Sequence, residues 1–351
     1  MNSCRYLFLR IMLVCLILLS GVLPAAAEKV LKISHLNPAD PFRSHSGAMI
    51  LVFKSLVESA TNGSIKVQQY PDGQLGKDDE VIQQVRDGVI QSCISSAGGV
   101  AQHFPAVGIF DLPFAFPNIA VAHQVIDLRS DFGKKFAAAI EAKIDLKVLG
   151  LLDSGGFFAI TNSKRPIRSI DDLRGLRIRT MTLPTHEAII ASLGARPTPL
   201  PWPEVYTALQ TDLVDGQMNP IPIISFAKFE EVQRHLALTN HLITPYVWLI
   251  DAGFYASLTA QERYVLDYAA HAAVDAGRGL SRIIEASAQR GLPFLATKMT
   301  VTSISSDERR KFAAVAQPAV KKLIAEKFGA VGVDLMRALL AAIDAAHTEP
   351  E

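Results

Sequence analysis

Short strand patterns alternate with helical ones along almost the whole chain, and that alternation restricts the fold more than any other feature. Residues 30–36, 65–70, 89–95, 147–152, 157–161, 176–180, 246–250 and 299–304 carry the two-residue period or the apolar run of strands. Helical patches lie between them. Ser44 or Ser46 can cap one that runs to Ala60, with Asn62-Gly63 closing it, and Asp78 and Asp79 enrich the first turn of one that ends near Gly88. Residues 119–142 read as a helix broken near Gly133, and residues 223–233 as another. Thr259-Ala260-Gln261-Glu262 has the form of a capping box, opening a long helix to about Arg290 that is kinked near Gly277 or Gly279. Ser305 or Ser306 caps a helix through Phe328, and residues 331–346 form the last. Such alternation builds an α/β architecture. Gly155-Gly156 marks a hinge or a tight passage, and the order of segments suggests two lobes that the chain crosses more than once.

Residues 1–27 read as a secretory signal peptide. Arg5 and Arg10 precede an apolar run from Ile11 to Leu19, and Ala25-Ala26-Ala27 offers small residues for cleavage before Glu28. The run is too short for a comfortable membrane span. Val14 is not the small residue that would precede a lipidated Cys15. The expected location is therefore the periplasm, and no membrane segment is expected in the mature chain. Two of the 35 basic residues lie in this leader and none of the 34 acidic ones, so the remainder is close to neutral. That balance offers no field for nucleic acid or anionic lipid. Beyond the leader only Cys93 remains, so no internal disulfide can form and stability must come from a packed core.

Spacing excludes several chemistries. His186-Glu187 is followed by Ile190 where a zinc protease needs a second histidine, and His35 and His45 have no cysteine partner. There is no phosphate-cradling glycine loop and no nucleophile elbow. Asp171-Asp172 and Glu230-Glu231 read as solvated surface pairs. No metal, cofactor or catalytic group is expected.

The informative stretch runs from Leu173 to Pro220. Leu176, Ile178 and Thr180 alternate with Arg177 and Arg179, and Arg179 stands where the strand gives out, ahead of Met181-Thr182-Leu183-Pro184. Ligands of open α/β sheets sit at that end of a strand, and a guanidinium matches a carboxylate with two parallel donors. From spacing alone Arg179 reads equally well as half of an ion pair between elements. Asn219 before Pro220 can simply cap a turn after Asp215-Gly216. Trp202, between two prolines, belongs to neither a regular helix nor a central strand and can serve as packing.

The phrases "LRGLRIR" and "PTPLPWPEVYTALQTDLVDGQMNP" resemble the solute-binding proteins of tripartite ATP-independent periplasmic (TRAP) transporters, the DctP-type family. The likeness extends from Leu31 to about Leu340. It implies a two-lobed periplasmic binding protein fold with hinge strands and a long helix spanning both lobes. We divide the chain into 28–155 and 246–284 for lobe I, and 156–245 and 285–346 for lobe II. By the same resemblance Arg179 pairs with the solute's carboxylate, Asn219 meets its polar end and Trp202 packs over it. Ser96 aligns with a position that faces the solute, and His35 and Trp248 are further lining residues. Phe158 stands where many relatives carry a second arginine, which points to a monocarboxylate with an apolar or aromatic body over a small dicarboxylate. The implied partners are a small organic anion and the small and large membrane subunits of the transporter. A receptor feeding a sensor or another transport system is the alternative, and a periplasmic enzyme acting on a carboxylate a remoter one.

Overall fold

The computed structural model describes residues 28–348; the leader read from residues 1–27 lies outside them. The strands are β1 (Lys29–His35), β2 (Ile65–Tyr70), β3 (Ser92–Ser96), β4 (Leu146–Asp153), β5 (Phe158–Asn162), β6 (Arg177–Thr180), β7 (Arg196–Pro199), β8 (Gly216–Pro220), β9 (His235–Leu238), β10 (Pro245–Asp251) and β11 (Thr300–Ser303). They form two sheets, ordered β2-β1-β3-β10-β4 and β11-β9-β5-β8-β6-β7. Besides the helical passage from β10 to β11, the chain crosses between the sheets twice directly: β5 enters the second sheet after β4, and β10 returns to the first after β9. Both lie antiparallel to the neighbours they join.

The two crossings are tied together. Ser154 N–H donates to Thr244 O at 3.0 Å, and Phe158 N–H to Leu242 O at 2.9 Å. Gly155 and Gly156 hold φ of +118° and +110°, a region closed to side chains. A Cβ on Gly156 would also stand 2.3 Å from Arg282 Nη2, which donates to Gly155 O. The sequence's hinge signal is thus a strained passage with a guanidinium against it.

Helix α1 (His45–Ala60) starts at the Ser44 cap, whose hydroxyl accepts from Gly47 N–H. The charged helix α2 (Asp78–Arg86) leads to β3, and a short helix α3 (Ala97–Val100) follows that strand. Residues 119–142 are two helices, α4 (Ile119–Val125) and α5 (Asp131–Ile144), separated before Gly133 and not at it. The cause is local: Ser130 caps α5 by accepting from Gly133 N–H, and Gly133 packs so closely that a Cβ would lie 1.8 Å from Asp127 O. In the second lobe, α6 (Pro184–Ser192), α7 (Val205–Gln210) and α8 (Ile221–Phe226) follow. The helix expected over 223–233 ends at Phe226, because Lys228 turns left-handed (φ 55°) before a 3-10 turn. The strand β9 that comes next was not anticipated.

After the short α9 (Ala252–Ala256) comes α10 (Ala260–Ala286), 27 residues without interruption and therefore about 40 Å long. Thr259 and Glu262 form the expected capping box. Its inner face, Ala269, Ala270, Ala273 and Gly277, is small enough for α1 to lie close. Gly277 marks that approach, since a Cβ there would meet Met49 Cγ at 2.7 Å. A short α11 (Leu292–Leu295) leads to β11, followed by α12 (Ser306–Lys327) and α13 (Gly329–Thr348). The sequence division put this last helix with lobe II; it packs against α4, α5 and the 3-10 turn Pro105–Asp111. No helix among the described residues is long and apolar enough to cross a membrane.

Candidate functional site

Arg179 is 2% exposed and lies at the edge of a cavity between the two sheets. Its Nε and Nη2 both donate to the Leu200 carbonyl, at 2.9 and 2.6 Å. Leu200 is in turn held to β6 by its own N–H, which donates to Thr180 O. Nη1 is buried and has no partner in the protein. No carboxylate stands at ion-pair distance from Arg179 among the described residues. Burial pulls its pKa down to about 9, with Tyr246 and Asp78 drawing it back up, so it remains a cation at neutral pH. A buried charge with an unused donor is costly unless an acceptor arrives.

Asn219 is set by a relay through the second sheet. Gln233 Nε2 donates to Val232 O, an acceptor that cannot turn round. That leaves Gln233 Oε1 to accept from Thr161 Oγ1, Thr161 to accept from Gln217 Nε2, and Gln217 Oε1 to accept from Asn219 Nδ2, at 3.0, 3.0 and 2.6 Å. Reversing any member would set like groups against each other. Asn219 therefore commits one amide hydrogen to Gln217 and has its Oδ1 available to the cavity it lines. It sits in a strand, not at a turn, paired opposite Ala159.

From the first lobe the cavity receives His35, Asn37, Ser46, Asp78, Ile94, Ser96 and Tyr246; from the second, Arg179, Met181, Trp202, Asn219 and Ile223. Trp202 also packs on Phe226 and Phe229, so its packing and lining readings hold together. The lobes meet around this space. Lys77 Nζ reaches Glu204 at 3.0 Å, Gln102 Nε2 donates to Thr182 O, and Thr182 Oγ1 to Gly98 O. His35 Nε2 lies 2.9 Å from Gln69 Nε2, and burial together with His45 pulls its pKa down to about 3, leaving a neutral ring.

Asp78 is the cavity residue that the sequence did not reveal, because as the first acid of a helix it satisfies the helix dipole and needs no other purpose. Its Oδ2 accepts from Ser96 Oγ at 2.5 Å and from Ser96 N–H at 3.3 Å. Burial pushes its carboxyl up to about 6, against those hydrogen bonds. Gly99 makes room for it: a Cβ there would stand 2.1 Å from Asp78 Cβ. Ser96 thus reaches the cavity chiefly as the support of Asp78. Tyr246, hydrogen-bonded to Asn37, and Asn37, donating to Ser46 Oγ at 2.9 Å, were also unseen, since their partners come from separate elements.

Two expected lining residues are elsewhere. Phe158 is 0% exposed and turned edge-on to His186 and His241 in the core. Strand alternation decides this: Thr161 of β5 joins the relay on the cavity face, so Phe158 and Ile160 face the other way. The apolar pocket wall inferred from Phe158 is therefore not present at that position. Trp248 shares its face with Tyr246 but lies two residues deeper on β10, T-shaped against Phe53 at 4.7 Å, its indole N–H donating to Ser92 Oγ. No group of three or more metal-ligating side chains occurs among the described residues.

Comparison with known proteins gives a consistent picture. The pattern of the DctP family, described as bacterial extracellular solute-binding protein, family 7, matches residues 35–327. A solute-binding protein from Verminephrobacter eiseniae is 33% identical over 313 residues, covering 89% of this chain and 90% of its own. The sugar acid binding protein DctPAm from Advenella mimigardefordensis, in complex with galactonate, superposes with a TM-score of 0.83 at 31% identity, covering 91% of this chain and 99% of the other. A TRAP periplasmic solute-binding protein from Polaromonas sp. JS666 bound to D-erythronate gives a TM-score of 0.80 at 34% identity, covering 90% and 99%.

Proposed function

Because the chain belongs to the DctP family of bacterial extracellular solute-binding proteins, we propose that it is the receptor of a TRAP transporter, exported by its leader, which closes two lobes over a small organic anion and hands it to the transporter's small and large membrane subunits. The observation that carries this reading is Arg179, a buried cation lining an interlobe cavity, whose Nη1 has no acceptor. A carboxylate supplies the missing acceptor in a site from which closure removes water, where the pair is strongest.

The ligand we infer is a hydroxylated monocarboxylate. One cation that no protein carboxylate pairs with answers to one carboxylate. Asn219 Oδ1 is an acceptor and calls for a hydroxyl donor, while Ile94, Met181, Trp202 and Ile223 can cover a carbon chain. The galactonate and D-erythronate held by the two solved neighbours have this chemistry, and they support the reading. It replaces the apolar or aromatic body that Phe158 suggested.

A thermal-shift panel tests the proposal. D-galactonate and D-erythronate should raise the melting temperature, by the equivalent of about 2.7 kcal/mol at a hundred times the dissociation constant. Their counterparts lacking hydroxyls should do so far less. A panel in which no organic acid stabilises the protein would refute the receptor reading.

A further inference from the structure

We propose that the cavity takes up one proton at Asp78 when an organic anion binds, so that the ligand enters as an anion accompanied by a proton. This rests on the receptor reading above and concerns the regulation of the same site. The geometry that carries it is a charge count within one interlobe cavity. Arg179 is a cation that lines the same cavity as Asp78 with no carboxylate paired to it, and it is the group an incoming carboxylate engages. Asp78 itself is held only by neutral donors, Ser96 Oγ and Ser96 N–H, with Ser95 beside them.

The other charged and titratable groups around Asp78 supply no second cation. Lys77, at the cap of its helix, reaches across to Glu204; on the helix Asp79 and Glu80 are acids, and Arg86, in the last turn, donates to Gln83. β3 offers the Cys93 thiol, which Asp78 and burial both push upward, and β10 offers Tyr246, a phenol likewise raised by burial. β1 contributes His35, neutral in this setting. With the ligand's carboxylate on Arg179, two anions share one cation in a space without bulk water. Like charges so placed cannot both remain ionised, and the proton goes to the group with the higher pKa. Asp78 is already raised to about 6 by burial, before a ligand's charge is added. The proton comes from solvent and attaches to Oδ1, since Oδ2 is occupied by Ser96, and the resulting O–H can donate to the bound ligand.

The sign follows from linkage. Below about pH 6 Asp78 is protonated before binding, and affinity is flat. Above it each binding event draws in a proton, and affinity falls by up to about ten-fold per pH unit until the pKa of the occupied site is passed. Calorimetry with D-galactonate at pH 7 in phosphate and in Tris, whose ionisation heats differ, counts the protons directly. We expect an uptake close to one. Asp78→Asn should bind with an affinity independent of pH between 6 and 8 and with no uptake. Ser96→Ala, which removes a bond that favours the ionised form, should move the onset of the pH dependence above 6.

Binding without proton uptake in the unaltered protein would overturn the inference alone. Uptake that persists in Asp78→Asn would also overturn it, by assigning the proton to another group. If neither D-galactonate, D-erythronate nor any other organic acid binds, the receptor reading and this inference fall together.

Discussion

Arg179 is held by two hydrogen bonds to a single carbonyl, and this leaves its third nitrogen without an acceptor. Its replacement should therefore affect binding much more than folding. Arg179→Ala should cost roughly 2–5 kcal/mol of binding, some thirty- to several-thousand-fold in affinity, while the melting temperature of the empty protein stays level or rises. Calorimetry and a melting curve on the same preparation separate the two effects. Asp78 makes the opposite kind of prediction. Its folded-state pKa lies above its ordinary 3.8, so the empty protein is destabilised as pH rises through about 4, and the penalty is complete above about 6. Asp78→Asn should raise the melting temperature at pH 7.5 and leave it unchanged at pH 4.

At the scale of elements, the second sheet works as a frame that turns one amide. Val232 O fixes Gln233, and the order of donors then passes through β5 and β8 to Asn219. Thr161→Val would cut the relay in the middle, leaving Gln217 Nε2 and Gln233 Oε1 buried without partners. A stability loss of about 1–3 kcal/mol is expected. So is a smaller preference for hydroxylated acids over their deoxy counterparts, because Asn219 is then free to present either end. Between helices, the contact of α1 with α10 depends on the absent side chain at Gly277. Gly277→Ala should cost about 1–3 kcal/mol through the clash with Met49, visible as a lower denaturant midpoint with an unchanged slope.

Across the whole molecule, ligand capture requires that both lobes contribute to one cavity and that the passages between them can bend. The passage at Gly156 admits no side chain: its φ is +110° and Arg282 lies against it. Gly156→Ala introduces strain of about 1–3 kcal/mol in this closed arrangement. If an open form relieves it, ligand affinity drops by a corresponding factor, since the binding-competent state becomes a smaller fraction of the population. Small-angle scattering should then show a more extended empty protein and a larger compaction at saturating ligand. A variant with unaltered affinity and scattering would show that this passage does not bend.

What the sequence determined by itself was governed by neighbours within a few residues. The period of two and the period of 3.6 marked most strands and helices; Thr259 marked a helix start outright, and the pairs Ser44/Ser46 and Ser305/Ser306 each contained the cap, because a cap needs only a hydroxyl and the next turn. The double glycine marked the crossing because no other residue adopts its backbone angles. Arg179, Asn219, Trp202, Ser96 and His35 were legible as candidates through a resemblance carried by contiguous phrases, and all five line the cavity. What only the tertiary structure decided depends on distance in space. The face of β5 on which Phe158 falls is set by pairing with β8, and the depth of Trp248 by Phe53 above it. The orientation of Asn219 is set by a carbonyl at position 232, and the unpaired charge of Arg179 by which acids the other elements keep away from it. Such properties belong to groups brought together by packing, and no local pattern of residues records them.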